Sequence, residues 1–200
     1  RNLVGMMRSL KERDWGVGEM LNQHDRYLDK LEPEPPAFDV DADRPTRMLE
    51  LCVLPGWIDQ NGHMTEFRYT QVFSDSCDRL LSIIGAGPDY IAEGHSYYTT
   101  ESHIMHIDEV GVNKPIYSTA QIMHADTKRL HVFFCLRACE DDRILASAEE
   151  MYLHVDMQKS RVCEADPDVV GKAIAIAEAH ALLPRPAVIG RHVGQRNQET

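Results

Sequence analysis

The spacing of hydrophobic residues changes along the chain, and each spacing predicts a different element. Residues 46–53 alternate the apolar Leu49, Leu51 and Val53 with other side chains, a period of two that predicts a strand with one more buried face. After a polar loop, apolar residues recur at helical spacing, and residues 85–88 hold the glycines and the proline that end a helix. These positions predict a helix of roughly twenty residues. The apolar stripe consists of Tyr69, Val72, Phe73, Cys77, Leu80, Leu81 and Ile84.

Four further segments predict long strands separated by short stretches of turn-forming residues. The strands are expected at residues 96–107, 115–125, 130–138 and 144–156. Short loops between long strands imply antiparallel pairing. The order of strand, long helix and four-stranded meander resembles the hotdog fold, an α+β architecture in which a curved antiparallel β-sheet wraps around a long central helix.

Helical extensions are predicted on both sides of this unit. Two short stretches within the first 31 residues have helical spacing, and the proline-rich stretch after them cannot continue a helix. Asp166 is an N-cap candidate for a helix that runs through an alanine-rich segment to residue 181. We therefore divide the chain into a helical extension with linker, a hotdog domain, and a C-terminal helix with tail. Their expected ranges are residues 1–36, 37–165 and 166–200.

Composition narrows the class of protein. A chain of 200 residues with 43% hydrophobic content is long enough for one domain with its own core and short extensions. Its longest apolar runs are far too short to cross a bilayer. The formal net charge of -11 disfavours contact with the phosphate backbone of nucleic acid. Five widely spaced cysteines, with no leader segment recognisable before them, favour a reducing cytoplasm. We expect a soluble cytoplasmic protein with no nucleic-acid or membrane partner.

Neither a metal nor another cofactor is predicted. His103 and His106 lie three residues apart on a predicted strand, so their side chains face opposite sides. The chain has no HExxH or CxxC motif. The glycines of residues 85–88 end a helix, whereas those of a phosphate-binding loop open one.

The segment with the clearest chemical content lies between the first strand and the long helix. Residues 53–69 read VLPGWIDQNGHMTEFRY. Asp59 stands three residues before Gly62, His63 follows, and Tyr69 lies in the helix that comes next. This arrangement resembles the family of 4-hydroxybenzoyl-CoA thioesterases, and the resemblance covers approximately residues 44–161. It implies a hotdog acyl-CoA thioesterase that forms at least a homodimer.

The resemblance also implies a role for several residues of this segment. Asp59 would attack the thioester carbonyl or activate a water, while backbone amides around Glu66, at the helix start, would polarise the carbonyl oxygen. Such amides lack helical partners and lie at the positive end of the helix dipole. His63 would orient the loop or contact the thioester, and Gly62 would permit a tight turn. In the structural alternative, Asp59 and Asn61 only form a turn and His63 caps the helix.

The segment departs from the family pattern in ways that concern the substrate. Thr65 stands where asparagine is common, and Glu66 adds a second carboxylate that would raise the pKa of Asp59 or face a cationic acyl group. Aromatic rings beside Glu66 or Glu101 suit a trimethylammonium group because ring faces attract cations. The alternative is that these rings belong to the core. The predicted substrate-binding residues are Trp57, Asn61, Gly62, Thr65, Phe67, Tyr69, Tyr97, Tyr98 and Glu101.

The N-terminal segment adds a clue to the substrate. Residues 1–31 resemble the closing helices of 3-hydroxyacyl-CoA-dehydrogenase-like proteins of the kind found in carnitine dehydrogenases, some of which carry a thioesterase domain that acts on betainyl-CoA. The alternative is an ordinary amphipathic extension that packs on the domain or on a partner chain. Because betainyl-CoA carries a quaternary amine, the resemblance agrees with the aromatic residues. Betainyl-CoA is therefore the predicted substrate, and a fused carnitine dehydrogenase is the predicted covalent partner.

Two other functions stay open at this point. A hotdog hydratase adds water to a double bond with a D-x-N-P-x-H loop, whereas the loop from Asp59 to His63 lacks the proline and is one residue shorter. A noncatalytic acyl-CoA-binding or dimerisation module would not need the carboxylate at all. The basic candidates for binding the coenzyme A phosphates are Lys114, Lys128, Arg129, Arg137 and Arg161.

Overall fold

The computed structural model describes residues 44–193. The predicted N-terminal helices, the proline-rich linker and the end of the tail lie outside these residues, and the division into three domains therefore stays a prediction. Within the described part, no helix is long and apolar enough to cross a membrane.

One antiparallel sheet forms the framework of the described chain. Its strands lie in the order β1-β3-β4-β5-β2, and the short β6 pairs with the end of β5. The four long strands of the meander begin and end within one residue of their predicted limits. The strands are β1 Thr46–Cys52, β2 His95–His106, β3 Pro115–Ala125, β4 Arg129–Ala138, β5 Ile144–Asp156 and β6 Arg161–Val162.

The long helix α1, Glu66–Ile84, packs on one face of this sheet. Phe73 of α1 contacts Phe134 of β4 with ring centroids 6.2 Å apart, and both side chains are fully buried. The hydroxyl oxygens of Ser76 on α1 and Ser118 on β3 lie 2.7 Å apart, also buried. A curved sheet around one central helix is the predicted hotdog architecture, and this prediction is confirmed.

The end of α1 follows the stop signals in the sequence. Gly85 adopts a φ of 91°, the left-handed conformation that a C-terminal glycine allows. The Ala86 amide donates to the Leu81 carbonyl at 2.7 Å, which satisfies one of the last free carbonyls of the helix. The chain then forms the short helix α2, Pro88–Ala92, which the hydrophobic pattern did not predict.

Local irregularities explain where the alternating pattern of β1 breaks down. The register between β1 and β3 shifts between Arg47 and Leu49, so Met48 and Leu49 are both buried although they are neighbours in sequence. Residues Pro55–Trp57 form a single 3₁₀ turn after β1. The Trp57 side chain in this turn is buried.

The C-terminal helix α3, Pro167–His180, is present where the sequence predicts it and packs mainly on β3. Its last residue, His180, is buried between two strands. The Ile122 amide donates to His180 Nδ1 at 2.9 Å, and His180 Nε2 lies 3.1 Å from the Thr46 hydroxyl. Since Nδ1 accepts a hydrogen bond, the neutral ring must carry its proton on Nε2. Asp166 occupies the predicted N-cap position but makes no side-chain capping bond.

Candidate active site

Asp59 lies at the start of a tight hairpin between β1 and α1. Ile58 and Met64 form an isolated antiparallel bridge, and the Asp59 amide donates to the His63 carbonyl at 2.9 Å. The Gly62 amide donates to the Asp59 carbonyl at 3.1 Å, which closes the turn. Gly62 has a φ of 87°, a backbone conformation that side-chain-bearing residues rarely adopt.

The Asp59 carboxylate is partly exposed and is held by the turn itself. The Asn61 amide donates to Oδ1 at 2.7 Å, and the Asn61 side-chain amide lies 3.4 Å from Oδ2. The Asn61 hydrogen bonds, together with the His63 amide and the charge of His63, lower the pKa of Asp59 below its usual value. The sequence suggested that Glu66 would raise this pKa. The structure instead gives an ionised carboxylate at neutral pH, and the turn is present as the structural alternative proposed.

Three further contacts fix the hairpin to the rest of the domain. The Thr65 amide donates to the Trp57 carbonyl at 2.8 Å, and the Met64 amide donates to the Val110 carbonyl at the same distance. His63 Nδ1 lies 3.2 Å from a carboxylate oxygen of Glu109. His63 is therefore engaged with the loop before β3, which agrees with an orienting role, and it does not cap α1.

The hairpin leads directly into the first turn of α1. Thr65 is the N-cap residue but makes no side-chain capping bond, and the Arg68 amide donates to the Thr65 carbonyl at 3.0 Å. Helix geometry leaves the amides of Glu66 and Phe67 without intrahelical partners. Burial raises the pKa of Tyr69, and the charges of Asp108, Glu109 and Asp59 raise it further. The Asp59 charge thus acts on the Tyr69 hydroxyl.

Two of the aromatic residues predicted to bind a substrate cation already contact a cationic side chain of the protein itself. The Arg68 guanidinium lies 4.6 Å from the Phe67 ring centroid and 5.4 Å from that of Trp57. Tyr69 packs edge-on against the His106 ring at 5.0 Å. Arg68 therefore lies over two of the rings that were predicted to contact a ligand cation.

The register of β2 separates the remaining predicted residues. Tyr97 pairs with His154 of β5, whereas Tyr98 pairs with Leu153 and Glu101 with Met151. Tyr97 shares the face of its partner His154, and Tyr98 lies on the opposite face. The register shift between Thr99 and Glu101 interrupts the alternation and puts Glu101 on the face of Tyr98. Only Tyr97 of these three lines the pocket described next.

A pocket of about 230 Å³ lies between α1, β2 and β5. Asp59 does not line it, so a single chain does not join the predicted nucleophile to this cavity. Two carboxylates and two tyrosine rings contribute to its walls, and none of the residues that line it is basic. The lining residues are Thr70, Ser74, Cys77, Asp78, Leu81, Tyr97, Thr99, Ser102, Glu150 and Tyr152.

Glu150 is the functional candidate that the sequence reasoning missed. Its side chain is buried, with the residue only 6% exposed. The Tyr152 hydroxyl donates to one carboxylate oxygen, and the Ser102 hydroxyl donates to the other at 3.3 Å. Burial raises the pKa of Glu150, and both hydroxyls oppose the shift. One feature of the sequence could have identified it. Glu150 lies two residues from both Ala148 and Tyr152 in β5, so it shares their apolar face of the strand.

Metal coordination finds no support in the described residues. Across residues 44–193, no three histidine, cysteine, aspartate or glutamate side chains converge in a way that would hold a metal ion. His103 and His106 are separated as predicted, since no irregularity interrupts β2 between them.

Comparison with known proteins places these features in a family. The sequence model of the Thioesterase-like superfamily matches residues 53–173. An L-carnitine dehydrogenase/betainyl-CoA thioesterase of Rhizobium meliloti is 41% identical over 199 residues, which is 98% of this chain but 40% of that protein. A betainyl-CoA thioesterase of Pseudomonas aeruginosa is 36% identical over 146 residues and is covered over 92% of its length. That alignment takes in 72% of this chain.

Solved structures agree with this assignment. The crystal structure of a putative thioesterase from Pseudomonas putida KT2440 superimposes with a TM-score of 0.67 at 29% identity, covering 76% of this chain and 98% of that one. A protein from Staphylococcus aureus, solved in complex with CoA, has a TM-score of 0.70 at 21% identity and covers 78% of this chain and 99% of its own. The second likeness concerns the fold alone. The chain belongs to the Thioesterase-like superfamily.

Proposed function

We propose that this chain hydrolyses acyl-CoA thioesters and that betainyl-CoA is its substrate. The observation that carries the proposal is the ionised Asp59, held by the Asn61 amide in the turn that leads into α1. The names of the relatives from Rhizobium meliloti and Pseudomonas aeruginosa support the choice of acyl group. The aspartate, glycine and histidine of the sequence motif lie in one hairpin, as the family resemblance implies.

The proposed mechanism uses two parts of this site, the backbone amides at the start of α1 and the Asp59 carboxylate. The Glu66 and Phe67 amides polarise the carbonyl oxygen of the thioester and stabilise the negative charge that develops there. Asp59 either attacks the carbonyl carbon directly or takes a proton from a water that attacks it. In both routes the carbon–sulfur bond breaks, the coenzyme A thiol leaves, and water supplies the oxygen of the product. The products are glycine betaine and free coenzyme A.

A homodimer would bring Asp59 and the pocket together. In the described chain β2 pairs only with β5, which leaves its other edge free to pair with a second copy. His106 at one end of β2 contacts Tyr69 in the first turn of α1, and Tyr97 lies about 30 Å away along the strand. Antiparallel pairing of two β2 edges therefore puts Tyr97 of one protomer beside the start of α1 in the other.

The surface of α1 is compatible with such a contact. Four exposed positions at intervals of four residues carry short side chains, and three of them line the pocket. Short side chains let two helices approach closely. These positions are Thr70, Ser74, Asp78 and Ser82.

The predicted fusion to a dehydrogenase concerns a protein longer than this chain. The chain spans about 40% of the length of the curated relatives from Rhizobium. Their names join an L-carnitine dehydrogenase to the thioesterase, and we extend this arrangement to the present protein as a proposal. A cytoplasmic location, with no nucleic-acid partner, belongs to the same proposal and suits a reaction between soluble metabolites.

Thiol release from betainyl-CoA, followed with a chromogenic disulfide, tests the proposed activity. We expect Asp59→Asn to lower kcat by about a hundredfold or more, because the substitution removes the nucleophile or base while keeping the turn. Asp126→Asn is the matched control. Its carboxylate also accepts two backbone amides, from Lys128 and Arg129, and its pKa is lowered to about 2, but it lies in the turn between β3 and β4.

The same assay separates the competing functions. Equal rates for the wild type and Asp59→Asn would remove Asp59 from the mechanism. Loss of enoyl-CoA absorbance without thiol release would indicate a hydratase. Binding of betainyl-CoA with neither reaction would indicate a noncatalytic acyl-CoA-binding module.

A further inference from the structure

The pocket between α1, β2 and β5 combines two features that suit a small organic cation. It is lined by Tyr97 and Tyr152 and by the buried carboxyl group of Glu150, and it opens to solvent at the exposed positions of α1. Asp78 adds a second carboxylate from the exposed side of α1. No basic side chain contributes to its lining. A cavity of this kind favours positive charge over negative charge or a neutral group.

Glu150 is placed unusually for a carboxylate. It shares a face of β5 with Ala148, which pairs with Phe134, and Phe134 packs on α1. Its neighbours on this face are therefore core residues. A buried carboxyl without a counter-ion costs free energy, and a cation in the pocket would offset that cost by stabilising the ionised form. The hydroxyls of Tyr152 and Ser102 occupy part of the carboxylate and fix its orientation.

A trimethylammonium group matches the pocket better than a primary amine does. Quaternary ammonium has no hydrogen-bond donors, so aromatic faces and a carboxylate can hold it without further acceptors. The Tyr97 ring is fixed against His154, with ring centroids 5.1 Å apart, and its hydroxyl has a pKa of about 12 because it is buried. Tyr97 therefore presents a neutral ring to the cavity.

We propose that Glu150, together with Tyr97 and Tyr152, recognises the trimethylammonium group of the acyl chain and makes the site specific for a cationic acyl-CoA. This inference rests on the proposed thioesterase function. In the antiparallel dimer, the acyl group enters this pocket of one protomer while its carbonyl lies at the start of α1 of the other. Asp78 lies at the mouth and attracts the cation to the pocket.

A neutral substrate of the same shape provides a sharp test. In 3,3-dimethylbutyryl-CoA a tert-butyl group replaces trimethylammonium, so volume is kept and charge is lost. We expect the wild type to prefer betainyl-CoA in kcat/KM. We expect Glu150→Gln to lower kcat/KM for betainyl-CoA by about tenfold more than it lowers kcat/KM for the neutral substrate. Asp78→Asn is a second variant and should lower the preference less.

Glu149→Gln is the matched control for this substitution. Glu149 precedes Glu150 on β5 but faces the other side of the sheet, where it contacts His131 at 2.9 Å and the Gly190 amide at 2.7 Å. It should leave the preference unchanged. Equal losses on both substrates in Glu150→Gln, or no preference in the wild type, would overturn the inference and leave the thioesterase function standing.

Binding measurements can still test the pocket if neither substrate is hydrolysed. That result would contradict the proposed function, and calorimetry of betainyl-CoA with the Asp59→Asn variant would still test the pocket. Tighter binding of betainyl-CoA than of 3,3-dimethylbutyryl-CoA, lost on adding Glu150→Gln, supports the inference. Equal affinities refute it.

Discussion

The Asp59 carboxylate receives the Asn61 amide on Oδ1 at 2.7 Å, while Oδ2 has only a long contact of 3.4 Å with the Asn61 side chain. The hydrogen bond to Oδ1 thus orients the carboxylate, while Oδ2 is only weakly hydrogen-bonded. A carboxylate with a lowered pKa is a weak base but is ionised at neutral pH, and the proposed mechanism depends on its place in the turn that leads into α1. The proposed reactivity of Asp59 therefore depends more on its position than on its basicity.

Gly62 is the residue that permits this placement. Its φ of 87° costs a side-chain-bearing residue about 1 kcal/mol. We therefore expect Gly62→Ala to lower the free energy of unfolding by about that amount, and to lower kcat because the Asp59 turn relaxes. Denaturant unfolding and the thiol-release assay measure the two effects.

Gly56→Ala supplies the comparison. An added Cβ meets nothing within 4 Å at either glycine, but Gly56 does not have a positive φ. Its substitution should leave stability unchanged or slightly higher, since alanine restricts the unfolded chain. If Gly62→Ala were as stable as Gly56→Ala, strain at this turn would not be a constraint on the site.

At the scale of elements, helix α3 is fixed to the sheet through His180. The ring accepts from the Ile122 amide and donates to the Thr46 hydroxyl, which joins the helix end to β3 and β1. Burial lowers the pKa of His180 below the usual value of 6.5. Protonation would place a hydrogen on Nδ1 and break the bond from Ile122, so the neutral ring is part of the packing.

This arrangement predicts a loss of stability in acid. Because the folded-state pKa lies below that of the unfolded chain, the unfolded state binds the proton first as the pH falls. The contribution of His180 is complete above about pH 6.5 and decreases as the pH falls below that value. Urea unfolding between neutral pH and pH 5 should show it.

The variant His180→Gln should lower stability at neutral pH and flatten the pH dependence. His154, whose pKa is also lowered by burial, contributes the remaining slope. His192→Gln, at an exposed position, should change neither quantity. An unaltered slope in His180→Gln would assign the acid sensitivity to other groups.

At the scale of the whole molecule, the proposed site is divided between two protomers. Tyr69 in the first turn of α1 contacts His106 at one end of β2, and Tyr97 lies towards the other end, while the pocket runs along α1 from Thr70 to Leu81. In the proposed dimer, a two-fold axis places Tyr97 of one copy beside the start of α1 in the other. Sedimentation should therefore show a dimer, and dilution that separates the protomers should abolish activity.

Mixing two defective variants tests the shared site directly. Asp59→Asn lacks the reactive group and Glu150→Gln lacks the cation contact, so each homodimer should hydrolyse betainyl-CoA slowly. In a mixed dimer, one site combines an intact Asp59 with an intact Glu150 from the other protomer. After complete subunit exchange, activity should recover to about a quarter of the wild-type value. No recovery would mean that both residues act within one chain.

Local pattern by itself determined the long elements and identified the candidate segment around Asp59. Alternation and helical spacing place the long strands and α1 within one to three residues of their observed limits, because these periods reflect which side of an element is buried. The stop signals at Gly85 and the motif around Asp59 are also local features. They follow from backbone geometry that neighbouring residues impose.

Tertiary structure decided which side chains meet. The bulges in β1 and β2, and with them the position of Glu101 on the face opposite Tyr97, depend on strand register. The contact of Arg68 with Trp57 depends on how the segment before α1 folds back on the helix. Glu150 became a candidate only when β5 was seen to turn it towards α1. Residues far apart in sequence are brought together by packing and pairing, and these long-range contacts are not encoded in the period of any single segment.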